Sequence, residues 1–233
     1  MRLKNKFIGG SKMKKITKKD LNQNIHLSEG NMKSKGTNDT MFLTWSLPSR
    51  ECCPYSTEMC RKKCFAKKNE SFKTVRDSRR RNLEESKKDT FVRDMIEHLT
   101  YQLQRPKAKD KLIIVRIHTA GDFYSLEYLD KWIEISNFFK DKILFQSYTK
   151  SMPIIKERDI NNINIHFVWS IWHDTPKEYN DLAYKMNLQT FTALPKDEIE
   201  EATRNGAFLC EGDCGHCKEC YTGKSEQIVI PYH

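Results

Sequence analysis

The chain has 233 residues, 38% of them hydrophobic and 31% charged, and a formal net charge of +10. That is enough for one domain with a real core and a small appendage. It excludes a membrane protein, because no apolar run approaches the roughly 18 residues of a span, and the basic N-terminus lacks the apolar stretch of a secretory signal. A cytoplasmic protein is expected, and there the eight cysteines read as metal ligands before disulfides. The basic excess favours polyanions such as nucleic acid, nucleotides or an acidic partner. Its spread along the chain is equally explained by solubility.

Residues 1–20 hold eight Lys or Arg before the first acid, Asp20. With the Asn-, Ser-, Lys- and Gly-rich stretch at 21–39 they read as a basic arm and loop, ahead of a single α/β domain at 40–233. Residues 41–47 (MFLTWSL) form a first strand stopped by Pro48. Cys52, Cys53, Cys60 and Cys64 follow at once. From Cys53 the spacing is C-x6-C-x3-C. Cys60 and Cys64 share a face if a helix has begun there, with Cys53 reaching back from the loop. Three thiolates at such a point can hold a cluster, with one position open or filled by Cys52. Buried free thiols are the plain alternative.

Residues 70–104 carry an interrupted apolar stripe from Phe72 to Leu103 and read as one long helix or two, ended by Pro106. Arg76, Arg79, Arg80 and Arg81 on its early part read as a solvated face paired with Glu84 and Glu85 before a phosphate site. Residues 111–118 make a second strand, apolar on both faces, leading into Thr119-Ala120-Gly121-Asp122. A helix at 126–139, a third strand at 143–148 ending in Lys150, and a fourth at 165–170 ending near His173 and Asp174 continue the alternation. A helix at 177–186, a fifth strand at 188–193, a helix at 197–205 and a last strand at 227–230 complete it. This pattern predicts right-handed βαβ units with a parallel sheet, either a partial (βα) barrel or an open sheet. The site is then expected at the carboxyl ends of the strands, where Cys53, Cys60, Cys64, His118, Asp122 and Lys150 fall.

Between the last helix and the last strand, Cys210, Cys214, Cys217 and Cys220 are spaced C-x3-C-x2-C-x2-C. Neighbours this close cannot form disulfides with one another without strain. Four converging thiolates suit a soft metal or an iron–sulfur cluster. The successive x2 steps resemble ferredoxin-type loops more than a zinc ribbon, so [4Fe–4S] is the expected cofactor and zinc the alternative. Cys210-x3-Cys214-x2-Cys217 also has the spacing of radical S-adenosylmethionine enzymes, although there the motif follows the first strand. His216 is read as an outer or exposed residue. Asp122 and His118 are candidates for acid–base work or for capping, and Lys150 for contact with a bound anion. No P-loop, G-x-G-x-x-G or G-x-S-x-G is present, which argues against an NTPase, a dinucleotide dehydrogenase and an α/β-hydrolase.

The run Phe42-Leu43-Thr44-Trp45-Ser46-Leu47-Pro48, then Cys53-Pro54, Cys60 and Cys64-Phe65-Ala66, resembles the opening of the bacteriophage gene-product-eighty-eight (ShiLan-domain) family. The likeness continues through Arg116-Ile117-His118-Thr119-Ala120-Gly121-Asp122-Phe123, Tyr128, Trp132 and Tyr148-Thr149-Lys150-Ser151, and ends at the last cysteines and Tyr221. Ala120 and the extra Cys52 depart from the pattern. The resemblance implies an iron–sulfur protein of phage or plasmid origin, and the partial-barrel pattern is read here as radical-enzyme-like in architecture. Its ligands would be Cys53, Cys60, Cys64 and the Cys210–Cys220 group. The leading expectation is a redox or radical enzyme acting on a nucleotide or other anionic small molecule. The competing one is a metal-stabilised, non-enzymatic protein that contacts nucleic acid or a host protein.

Overall fold

The computed structural model describes residues 14–30 and 34–232. The first part of the expected basic arm lies outside them. From Lys14 onward the chain docks. Ile16 and Ile25 are buried, and Asn22 Nδ2 donates to both Glu85 and Asp94 at 2.9 Å. Ser28 pairs with Thr44 in an isolated antiparallel bridge.

Seven strands form one all-parallel sheet that curls into an open half-barrel, in the order β1-β2-β3-β4-β5-β7-β6. They are β1 (Thr40–Thr44), β2 (Leu112–Ile117), β3 (Ile143–Thr149), β4 (Ile165–Ile171), β5 (Gln189–Leu194), β6 (Phe208–Leu209) and β7 (Gln227–Pro231). The first strand is shorter than its apolar run. Beyond Thr44 the chain still follows its neighbour, Trp45 N donating to Arg116 O and Leu47 N to Ala120 O, until Pro48. The two-residue β6 was not expected from the sequence. It lies outside β7, which is slotted in beside β5.

The helices are α1 (Glu58–Lys62), α2 (Phe65–Asn69), α3 (Lys73–Ser86), α4 (Phe91–Gln104), α5 (Leu126–Phe138), α6 (Met152–Ile155), α7 (Lys177–Lys185), α8 (Lys196–Arg204), α9 (Cys214–Cys217) and α10 (Glu219–Thr222). The stripe at 70–104 resolves into two helices. Lys-Lys-Asp-Thr at 87–90 offers no side chain to the core, and the Lys131 ammonium reaches the carbonyls of Ser86, Lys87 and Lys88 at 3.2–3.4 Å. A cation there meets the unpaired carbonyls at a helix C-terminus.

Strand alternation divides the side chains. Leu43, Val115 and Phe145 pack with Phe91, Met95, Leu99 and Trp132 on the helical face. Phe42, Ile114 and Ile228 point to the opposite face, where Cys220 and Tyr221 cover them. Packing Trp45, Trp132, Trp169 and Tyr128, all fully buried, on one side leaves the other side for the cysteine-rich segment.

Candidate functional site

The first thiol set is built after β1. Thr57 caps α1 by accepting from Cys60 N at 3.2 Å, and Asp174, from the end of β4, accepts from Met59 N at 2.7 Å. Two of the amides left free at the helix start are thus satisfied. α1 ends at Lys62, and Cys64 is the N-cap of α2, so Cys60 and Cys64 do not share one helix. They remain close enough to act on each other. Burial raises the Cys60 thiol, the Lys150 ammonium opposes this, and Cys64 adds to it. Cys53 is pushed up to about 12, by burial and then by the Asp122 charge, with Cys60 contributing. Cys52 is buried in the helical-side core and is also pushed up to about 12 by burial.

Asp122 is a buried junction. Gly121 before it has φ +86, and a Cβ there would meet Leu47 Cβ at 2.6 Å, so only glycine lets the chain pass. The carboxylate accepts from Thr149 Oγ1 and Lys150 N at 2.7 Å and from Phe123 N at 2.8 Å. Burial raises its pKa against these bonds. It therefore ties the end of β2 to the end of β3. Lys150 leaves that junction towards Ser170 Oγ, 2.6 Å away, and its ammonium stands 5.9 Å from the Trp172 ring centre.

His118 is placed differently. It is buried with φ +67, and its ring lies 4.6 Å from Phe123. Trp45 Nε1 donates to Tyr128 OH at 2.9 Å, which leaves the phenol to donate to His118 Nε2 at 3.0 Å. Ser147 Oγ donates to Ile117 O and accepts from His118 Nδ1 at 3.3 Å. This chain assigns the neutral Nδ1–H tautomer. Burial agrees, pushing the imidazole down to about 3. Both ring nitrogens are engaged inside the helical core.

The second set lies over the opposite face. α9 and α10 are separated by Lys218 in the left-handed region. Gln189 Nε2 holds the segment by donating to Glu219 O and Ser225 O, at 3.2 and 2.5 Å. A Cβ on Gly215 would meet Lys35 O at 2.7 Å, so the segment also lies tight against the 34–37 loop. Cys220 is pushed up to about 12 by burial. Tyr148 and Arg116 oppose this, and Cys210 and Cys214 reinforce it. Cys217 is raised by burial, with Cys214 among its neighbours. His216 faces outward, bonded to Asp213 at 2.8 Å.

Sequence reasoning used Arg116 and Tyr148 only for the resemblance and gave neither them nor Gln146 a place in the site. The Arg116 guanidinium sits 4.6 Å from the Tyr148 ring centre. Gln146, its register partner, is fully buried, with neither amide atom bonded among the described residues. A lone Arg and a lone Gln inside apolar strands were the available signal. A groove of about 670 Å³ between Ile16, Ile96 and Phe138 contains none of the candidate residues.

The thiols that raise Cys53, Cys60, Cys217 and Cys220 belong in each case to the same set. Among the described residues no cysteine forms a disulfide, and no three His, Cys, Asp or Glu side chains converge as a metal-binding group. The donor chemistry suits a thiophilic metal. The spacing of the donors as they stand does not yet enclose one. Among the described residues no helix is long and apolar enough to cross a membrane.

These features define an α/β half-barrel with two separate thiol sets, one beyond its first strand and one over the face away from the helices. The chain belongs to the Gene product 88 family, whose model matches residues 14–220. It is 27% identical over 148 residues to the Gene 88 protein of Mycobacterium phage D29, a match covering 58% of this chain and 60% of the phage protein. No solved structure matches.

Proposed function

We propose that this phage-family protein is a thiolate–metal protein, with a [4Fe–4S] cluster as the occupant and zinc as the alternative, and that Lys150 offers a contact for an anionic small molecule or nucleotide. The observation that carries the reading is the sorting of seven cysteines into two sets whose members act on one another, each beside a cation: Lys150 by Cys60 and Arg116 by Cys220. Cysteines that only fill a core lie among apolar neighbours; here burial raises the Cys60 and Cys220 thiols and the nearby cation opposes it, in the direction of the thiolate that a metal needs. Four thiols in the second set suit a closed site. Three in the first leave a position open, as a reactive metal requires. An open half-barrel with thiols directly after its first strand also supports a radical-enzyme-like architecture. Asp122 then acts as a positioning residue, holding Lys150 beside Cys60. His118 braces β2 against the core.

Anaerobic purification of the full chain from iron-supplied cells, with iron, sulfide and zinc analysis, tests this reading. Brown protein with iron and labile sulfide is expected, and Cys60→Ser and Cys217→Ser should each remove one set's share. Colourless protein with stoichiometric zinc keeps the thiolate–metal part and removes redox chemistry. Protein with neither metal overturns the reading.

A further inference from the structure

Counted by segment, the basic excess that first reads as spread along the chain falls in two stretches. Residues 1–20 hold eight cations and one acid, and residues 50–81 hold eleven cations and four acids, a net of +7 in each; everything else carries a net charge of −4. The second stretch is α1, α2, most of α3 and the loops joining them. Its acids are largely engaged: Glu70 with Arg79 and Lys67, Asp77 with Lys73, Glu51 with Arg80. Among the described residues no acid pairs with the exposed Lys62, Lys63, Lys68 or Arg81.

The same stretch exposes aromatic rings. Phe72 is 66% exposed, Phe65 50% and Tyr55 38%, three of the five exposed aromatic side chains among the described residues. No exposed Leu, Ile or Met lies with them. The short elements that carry them are tied together. Arg79 Nη1 donates to Ala66 O and Glu70 at 3.0 Å, Arg76 Nη1 to Glu70 O at 3.1 Å, and Arg61 Nη1 to Ser56 Oγ at 3.0 Å. Single exposed rings are ordinary. Rings on fixed short elements, interleaved with unpaired cations, match how proteins bind single-stranded nucleic acid: bases stack on the rings and the cations track the phosphates. Duplex offers no free base face to stack, and a membrane surface is met by an amphipathic helix with aliphatic side chains, which this stretch lacks.

We infer that the outer surface of residues 55–81 is a binding site for single-stranded nucleic acid. Its rings and cations are exposed, whereas Cys60 and Cys64 are only half-buried between them. Fluorescence anisotropy of the full chain with labelled 20-nucleotide oligo-dT and oligo-rU tests it, and the two probes separate DNA from RNA. A duplex and anionic phosphatidylserine vesicles serve as comparisons. Binding to one or both single strands is expected, falling steeply with salt. Phe65→Ala and Phe72→Ala should each weaken it about fivefold or more. The triple variant Lys62→Glu, Lys63→Glu, Lys68→Glu should reduce the log–log salt slope by about 0.7 for each phosphate that is no longer neutralised. The exposed pair Lys140→Glu, Lys142→Glu, outside the stretch, should change nothing. All these side chains are exposed, so unchanged thermal unfolding checks the fold. No binding, binding indifferent to the rings, equal weakening in the Lys140/Lys142 variant, or preference for duplex or vesicles each overturns the inference.

Discussion

At the scale of single residues, Asp122 bonds across the ends of β2 and β3 and His118 is bonded through both ring nitrogens inside the core, and His118 makes its contribution measurable. Its imidazole is neutral inside the core and pushed down to about 3, whereas an unfolded histidine titrates near 6.5. A folded pKa below the unfolded one means that the unfolded chain binds the proton first. Stability is therefore full above about pH 6.5 and falls as the pH drops towards the folded value, by up to about 1.4 kcal/mol per pH unit for one group. Urea unfolding of the wild type and of His118→Gln between pH 7 and pH 4 should show the variant less stable at pH 7 and its pH slope flatter by most of one proton. Equal slopes would mean that the ring is solvated. His26 and His98 are also held down by burial, so the difference between the two proteins is the informative quantity.

Elements were legible where their signal was local. The apolar runs of β2 to β5 and the helices between them follow from period and punctuation, and so did the placing of Cys53, Lys150 and Asp122 at strand ends. The rest depended on long-range contacts that no local window contains. Gln189 on β5 tethers α10 across the sheet, Lys131 on α5 ends α3, and two-residue β6 exists only because β7 is there to pair with it. The cysteine segment was legible as chemistry but not as structure, because its two short helices form against Phe42 and Ile114 and not from propensity. This gives a test at the same scale. Gly215→Ala puts a methyl at 2.7 Å from Lys35 O, so α9 or the 34–37 loop must shift. Disulfide-reagent titration under native conditions should show Cys214 and Cys217 reacting several-fold faster than in the wild type, with Cys52 unchanged. Unchanged rates for all thiols would mean that the loop yields freely.

For the molecule as a whole, strand order fixes how much depends on the last strand. β7 enters the sheet after β6 yet lies between β5 and β6, so β6 has no other partner. Its backbone also anchors the second thiol set, since Cys210 N donates to Val229 O at 2.9 Å. Ile228 and Val229 are fully buried, one on each face. Removing residues 224–233 therefore does more than shorten an edge. It leaves β5 with an unpaired edge, frees β6 and uncovers Phe42, Ile114 and Tyr221. The loss of two buried aliphatic side chains alone is worth about 3–6 kcal/mol, a large share of the roughly 5–15 kcal/mol that holds a domain folded. The truncated chain should unfold at much lower urea or aggregate, and its second thiol set should react fully. The double variant Ile228→Ala, Val229→Ala keeps the chain length and should lie between the truncated and intact proteins in unfolding midpoint. If truncation leaves the midpoint unchanged, the half-barrel closes at β5, and the second thiol set is an accessory to the fold and not one of its walls.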